Sequence, residues 1–240
     1  MINSLTPKAT YFIHAVVDTQ PRIAVFDCDG TLWDGDAGEG FFDWELKQGI
    51  FPDETARALR KRYADYKAGN VGEDLMCGEM VSMHREMSTA ELSRLASEYF
   101  EPNISSTIFP EMQELVRLLH RDGCEVWAVS STNEWVIGAA MKYFDIPFGR
   151  ILAAAARIEN GMVTGHLLRV PSGEGKACAI REVVGRVPDA AFGNSRWDIA
   201  MLTMARHPFA VNPNPDLEAT AMEKGWTIYK PESVGPRAAR

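Results

Sequence analysis

From Pro110 to Lys230 short apolar runs alternate with amphipathic stretches, and this alternation narrows the possible folds more than any other feature of the chain. "PEMQELVRLLHRDG" has helical spacing and stops at Gly123, and "CEVWAVS" follows as a strand. "NEWVIGAAMKYF", "GEGKACAIREVVG", "RWDIAMLTMA" and "PDLEATAMEKG" read as helices; "RILAAA", "DAAFGN", "HPFAV" and "WTIYK" read as the strands between them. Inside this series "ARIENGMVTGHL" places Asn160–Gly161 between alternating apolar flanks, which predicts a hairpin. Strands separated by helices need right-handed crossovers and a parallel sheet covered on both faces. The expected fold is a doubly wound α/β core.

A further strand, "IAVFD" at 23 to 27, starts after Pro21 and opens into "CDGTLWDGDAGEG", a loop dense in Gly and Asp. Open α/β sheets bind ligands outside the carboxyl ends of their strands, so this loop is the first place to look for chemistry. From Phe41 to about Tyr99 the pattern is helical, punctuated by Pro52, by Gly69 to Gly72 and by Ser88. The predicted organisation is a core of residues 1–40 and 104–240 with a small helical domain, 41–103, inserted into it. Met76, Met80, Met83 and Met87 recur at helical spacing and read as its core. Residues 1–22 carry little pattern, and the tail after Pro231 reads as frayed.

A chain of 240 residues has room for one substantial core and a smaller accessory unit. The formal net charge of −8, with no stretch dense in Lys or Arg, argues against a nucleic-acid partner. Cys28, Cys77, Cys124 and Cys178 form no CxxC pair and have no clustered His beside them, so they read as reduced thiols. His14, His84, His120, His166 and His207 are scattered and read as structural, and "RALRKR" at 57 to 62 as a solvated helix face. No apolar run approaches a membrane span: "YFIHAVV" is short and interrupted by His14. The expectation is a cytoplasmic protein without a membrane partner, monomeric or homodimeric.

Asp27 and Asp29 stand where the buried strand meets the loop. Two carboxylates so close raise each other's pKa unless a cation neutralises them, and hard oxygen ligands favour Mg²⁺.

"VFDCDGTLW" resembles the first motif of the haloacid dehalogenase superfamily, an apolar strand followed by Asp-x-Asp-x-Thr. The superfamily's other motifs have candidates in order: Ser130 in "EVWAVSS", Lys176 in "GEGK", and Asn194 with Asp198 in "AAFGNSRWDIAML". A helical cap between the first two motifs, and the closing "FAVNPNPDLEATAMEKGWTIYK", are most similar to the phosphoserine-phosphatase-like branch. The resemblance implies a Rossmann-like core and a Mg²⁺-dependent phosphomonoester hydrolase acting on a small phosphorylated metabolite. Asp27 would be the nucleophile that becomes an aspartyl-phosphate, and Asp29 the acid and base. Gly30, Thr31, Ser130, Ser131 and Lys176 would hold the phosphate, and Asp27, Asp29, Asn194 and Asp198 the metal. Superfamily members that displace halide lack an acid at the position of Asp29, which favours phosphoryl transfer. A phosphotransferase of the same fold and a catalytically weak phosphometabolite sensor are alternatives that the sequence does not separate.

Asn194 departs from the pattern, because the usual ligand there is an aspartate; an amide oxygen brings no charge, so weaker metal binding is expected. Trp197 replaces a polar residue common before the last Asp. In the insert, Asp36 falls about where the branch places an acid near a substrate amine, with Glu39 close by. The arginine that would grip a substrate carboxylate falls near Met80, with Arg85 the nearest cationic substitute. Acidic groups without that arginine suit an amine-bearing alcohol phosphate such as phosphocholine or phosphoethanolamine. Arg169 is a further candidate for a substrate or product contact.

Overall fold

The computed structural model describes residues 5–232; the tail read as frayed lies, from residue 233, outside the described residues. One seven-stranded sheet has the order β4-β3-β2-β1-β5-β6-β7. Its strands are β1 (Ile23–Phe26), β2 (Glu125–Asn133), β3 (Ile151–Glu159), β4 (Met162–Arg169), β5 (Ala190–Gly193), β6 (His207–Val211) and β7 (Thr227–Tyr229). All neighbouring pairs are parallel except β3 and β4. That antiparallel edge is the hairpin predicted at Asn160–Gly161; both residues have positive φ, 52° and 77°, as a two-residue primed turn requires.

Successive residues of β1 point to opposite faces of the sheet, and each face has its own core. Ala24 and Phe26 join a large apolar cluster with α1 (Pro7–Val17), α6 (Pro110–Arg121) and α7 (Glu134–Met141). Ile23 and Val25 join a second cluster with α8 (Glu174–Ala179), α9 (Ile199–Met204) and α10 (Pro215–Lys224). After α8 a turn of π-helix, Ile180–Val184, completes the single helix expected there.

The helix α1 corrects the reading of residues 1–22 as patternless. Thr6 caps it by accepting from the Ala9 amide, Pro7 opens it, and Ala9, Phe12, Ile13 and Val16 form its buried stripe. Phe12 stacks on Tyr229 with ring centroids 4.0 Å apart. Burying such a ring contributes roughly 2 kcal/mol.

Between β1 and β2 lie α2 (Ala37–Gln48), α3 (Asp53–Lys67), α4 (Glu73–Ser82) and α5 (Thr89–Asn103). The first of these begins at Ala37 because Asp36 caps it, so the Gly-rich loop is shorter than its composition suggests. Phe41, Val81, Leu92, Leu95 and Phe100 merge with the large sheet cluster, while Phe42, Leu46 and Ala56 make a small cluster of their own with Met80 and Met83 beside it. The chain enters and leaves this segment at one place: the Asp34 amide donates to Thr107 O at 3.0 Å, and the Phe109 amide to Leu32 O at 3.0 Å. Among the described residues no helix is long and apolar enough to cross a membrane.

Candidate active site

The strand order puts β1 in the middle of the sheet, flanked by β2 and β5. The carboxyl ends of all three open into a cleft of about 920 Å³ lined by Asp27, Asp29, Ser130 and Asn194 among others. Asp27 follows the last residue of β1, and its amide donates to Phe192 O of β5 at 2.9 Å. One carboxylate oxygen, Oδ1, accepts from Lys176 Nζ at 2.6 Å; the other accepts from the Thr31 hydroxyl at 2.7 Å. Burial and the charge of Asp198 push the Asp27 carboxyl up to about 6, against the opposing pull of Lys176 and Thr31.

Lys176 comes from the first turns of α8 and is only 2 % exposed. Its ammonium also donates to Asp198 Oδ1 at 2.6 Å and to Val129 O at 3.2 Å, next to Ser130. Burial works against the charged amine, but Asp198 and Asp27 outweigh it and hold its pKa above the ordinary lysine value.

Asp198, read from the sequence as a metal ligand, has other work here. It is fully buried and does not line the cleft. Its Oδ2 accepts from the Asn194 and Ser195 amides, each at 2.9 Å, and from the Ser195 hydroxyl at 3.2 Å, while Oδ1 holds Lys176. The carboxylate therefore ties the loop after β5 to the lysine. Asn194 does face the cleft, and its side chain lies over Gly30.

Gly30 has φ +75°, and a Cβ there would stand 1.9 Å from Asn194 Nδ2. Its carbonyl accepts from Asn212 Nδ2 at 3.0 Å, so the loop cannot shift freely. Gly30→Ala is expected to destabilise the protein by about 1–2 kcal/mol through the left-handed backbone alone. It should also displace Asn194, which thermal melts and a Mg²⁺ titration of activity would read.

Asp29 is held by three donors. Trp33 Nε1 at 2.9 Å and the Ala37 amide at 2.6 Å both reach Oδ1, and the Thr132 hydroxyl reaches Oδ2 at 2.7 Å. Desolvation, then the charge of Asp36, push this carboxyl up to about 8, while the Ala37 and Thr132 bonds oppose the shift. Trp33 and Thr132 were not singled out in the sequence; Thr132 lies 103 residues from its partner. Ser130 accepts from the Thr132 amide at 3.1 Å and lines the cleft beside Ser131.

The opposite wall comes from the helical segment: Asp36, Glu39, Tyr63, Tyr66, Glu73, Met76, Cys77 and Met80. Of these the sequence had pointed to Asp36, Glu39 and Met80. Glu73 accepts from Tyr66 at 3.1 Å and from Ser172 at 3.1 Å, which links α4 to the loop before Lys176. Arg85 is not in the cleft; it follows α4, stays two-thirds exposed and pairs with Glu86. Arg169 is also elsewhere, donating to Ala153 O at 2.9 Å and pairing with Glu134. The Cys28 thiol is buried and its pKa raised by burial and the flanking aspartates, and the Cys77 thiol is pushed up to about 12, chiefly by burial. His84 is structural, buried against Glu45 Oε1 at 2.8 Å.

Of the residues read as metal ligands, Asp29 and Asp198 have their carboxylates engaged by three and four donors. Asp27 keeps spare lone pairs beside its two bonds, and the Asn194 side-chain amide, unlike its backbone N–H, makes no hydrogen bond among those described. Among the described residues no group of three or more His, Cys, Asp or Glu converges as a metal cage. One carboxylate and one amide oxygen facing the same cleft still suit Mg²⁺, which commonly keeps several waters and takes ligands from a substrate phosphate.

The model of the haloacid dehalogenase-like hydrolases matches residues 24–203, which span the first aspartate, Lys176 and Asp198. The chain belongs to this family. It is thus an enzyme of the hydrolase class, and its curated relatives include proteins with phosphatase names. A histidinol-phosphatase of Neisseria meningitidis is 28 % identical over 219 residues, covering 86 % of this chain and 97 % of the relative. A phosphoserine phosphatase of Mycobacterium tuberculosis is 28 % identical over 241 residues, covering 93 % and 76 %. Among solved structures, a protein of Bordetella pertussis Tohama I superposes with a TM-score of 0.77 at 22 % identity, over 87 % of this chain and 97 % of that one. A substrate-bound phosphoserine phosphatase superposes at 0.57 with 16 % identity, over 87 % and 92 %. These two bear on the fold of the hydrolase.

Proposed function

We propose that this hydrolase is a Mg²⁺-dependent phosphatase of small, amine-bearing phosphomonoesters, working through a phosphorylated Asp27. The observation that carries the reading is the Asp27 carboxylate, oriented at the cleft floor by Lys176 and Thr31, with a second carboxyl two residues on held at a pKa of about 8. A carboxylate fixed at both oxygens has lost the freedom that an attacking atom must otherwise lose in the transition state. Asp27 attacks phosphorus, the P–O bond to the alcohol breaks, and the leaving oxygen takes the proton of Asp29. Asp29, now a carboxylate, then removes a proton from water as it hydrolyses the acyl phosphate. Lys176 offsets charge on Asp27, and Ser130, Ser131 and the Gly30–Thr31 backbone are the donors assigned to the phosphoryl oxygens. Asp27 and Asn194, with Asp29 alongside, would hold Mg²⁺, which would supply charge neutralisation at the phosphoryl group.

In this reading α2 to α5 form a cap that closes over the sheet's carboxyl edge and contributes the substrate wall. The described residues that line the cleft include six carboxylates, of Asp27, Asp29, Asp34, Asp36, Glu39 and Glu73, and one ammonium, that of Lys176. Lys176 is already committed to Asp27 and Asp198. Desolvation raises the pKa of both Asp36 and Glu73, so a cation arriving with the leaving alcohol would relieve them. The amine carried by substrates of a histidinol-phosphatase or a phosphoserine phosphatase agrees with such a wall.

The test is release of inorganic phosphate from p-nitrophenyl phosphate and from a panel of amine-bearing and amine-free alcohol phosphates, with millimolar Mg²⁺ and with EDTA. Turnover that needs the metal and favours the amines is expected. No turnover at millimolar metal would sink the proposal. Asn194→Asp should lower the Mg²⁺ concentration for half activity, because it adds a formal charge to the ligand set; an unchanged requirement would remove Asn194 from that set.

A further inference from the structure

Trp33 is fully buried and does not reach the cleft, yet its indole N–H is spent on the carboxyl that does. Its ring meets Phe100 of α5 edge-on at 5.5 Å and leans on Phe144 at 6.5 Å. Its backbone is bridged to Asp29 on one side and to Ile108 on the other. A side chain pinned at ring and backbone aims its N–H in one direction. Two obligate donors, that indole and the Ala37 amide, converge on Asp29 Oδ1, whereas Oδ2 faces a hydroxyl, that of Thr132, which can accept as well as donate. The two oxygens are therefore not equivalent. An oxygen held by two N–H groups from fixed directions sets the rotation of the whole carboxyl, with Thr132 securing the other oxygen.

We propose that Trp33, with Thr132 across the carboxyl, is the positioning residue that fixes the rotation of the Asp29 carboxyl in the cleft, where it meets the leaving oxygen. The inference rests on the reading of Asp29 as the acid. Without the indole bond the carboxyl can rotate about its Cβ–Cγ bond and turn away from the leaving oxygen. Trp33 does not touch substrate; it acts through Asp29.

A positioning role predicts selectivity by leaving group. p-Nitrophenol departs readily without a proton, whereas phenol leaves more slowly and gains more from an acid. The experiment measures kcat/KM for p-nitrophenyl phosphate and phenyl phosphate, in saturating Mg²⁺, for the wild type and for Asp29→Asn, Trp33→Phe, Thr132→Val and Thr132→Ser. General acids contribute about 10²–10⁴-fold, so a partly misdirected one should show a loss about tenfold greater on phenyl phosphate than on p-nitrophenyl phosphate. That differential is expected for Trp33→Phe and Thr132→Val, with Thr132→Ser near wild type and Asp29→Asn showing the largest differential. Simple loss of stability would lower both substrates by the same factor. Equal losses in Trp33→Phe and Thr132→Val, with the differential kept in Asp29→Asn, would overturn the positioning role alone. Equal losses in Asp29→Asn would overturn the assignment of the acid itself.

Discussion

Asp27→Asn should lower phosphate release by at least about 10⁴-fold, because a neutral amide cannot form the covalent intermediate and loss of a nucleophile commonly removes most of an enzyme's rate. The fold should survive the change. The amide keeps the shape, its oxygen can still accept from Thr31 or Lys176, and Lys176 retains Asp198 at 2.6 Å. Stability should even rise at neutral pH in metal-free buffer. Burial and Asp198 lift the Asp27 carboxyl from an ordinary value of 3.8 to about 6, so the folded protein holds its proton more tightly than the unfolded chain. Stability from this group is greatest below pH ~4 and is lost as pH rises through about 6, a penalty of roughly 3 kcal/mol at pH 7. Asparagine removes the penalty, so the variant should melt at or above the wild-type temperature in EDTA. Residual activity above about one per cent of wild type would exclude Asp27 as nucleophile.

Lys176→Met should be the most destabilising single change at the site. The ammonium lies between two carboxylates, each at 2.6 Å, and all three groups are shielded from water. Breaking a buried ion pair by removing one partner typically costs about 3–5 kcal/mol, because the opposite charge is left uncompensated, and here two are left. Urea denaturation should give a loss of that size together with loss of activity. Adding Asp27→Asn should restore part of the stability, since it removes one of the stranded charges, and none of the activity. A loss below about 1 kcal/mol in the single variant would mean that water reaches the carboxylates and that the triad does little for the fold.

Much of the site was legible because its chemistry is concentrated in short segments. "DCDGT" places two acids, a glycine and a hydroxyl within five residues of a strand end, and the structure joins Thr31 to Asp27 and gives Gly30 its left-handed backbone. Lys176, 149 residues from Asp27, was reached only by matching ordered motifs, since nothing in its local composition requires burial. Thr132 and Trp33 escaped because a threonine in a strand and a tryptophan in a loop are ordinary until a distant carboxyl turns towards them. Asp198 was read as a ligand from its place in the last motif, and a motif does not tell a ligand from a carboxylate that holds a lysine and a loop, as this one does. Arg85 went astray because a loose alignment fixes position along helices and not which face a side chain takes. The first helix was passed over although Thr6–Pro7 is a regular start; its stripe is only one side of a single short helix, completed by Phe209 and Tyr229 from far along the chain.

The paired crossings at Asp34–Thr107 and Leu32–Phe109 mean that seventy-odd residues leave and rejoin the sheet at one narrow base, with a second seam where Glu86, Met87 and Thr89 bond the β3–β4 hairpin at Val163 and Gly161. Such a joint invites excision or grafting, because a foreign segment of any length could be spliced there without disturbing the register of β1 on β2. The apolar cluster sets the condition. Phe41, Val81, Leu92 and Phe100 complete a core shared with the sheet side, so a graft lacking substitutes for them would leave an oily scar beside the strands rather than an open, wetted edge.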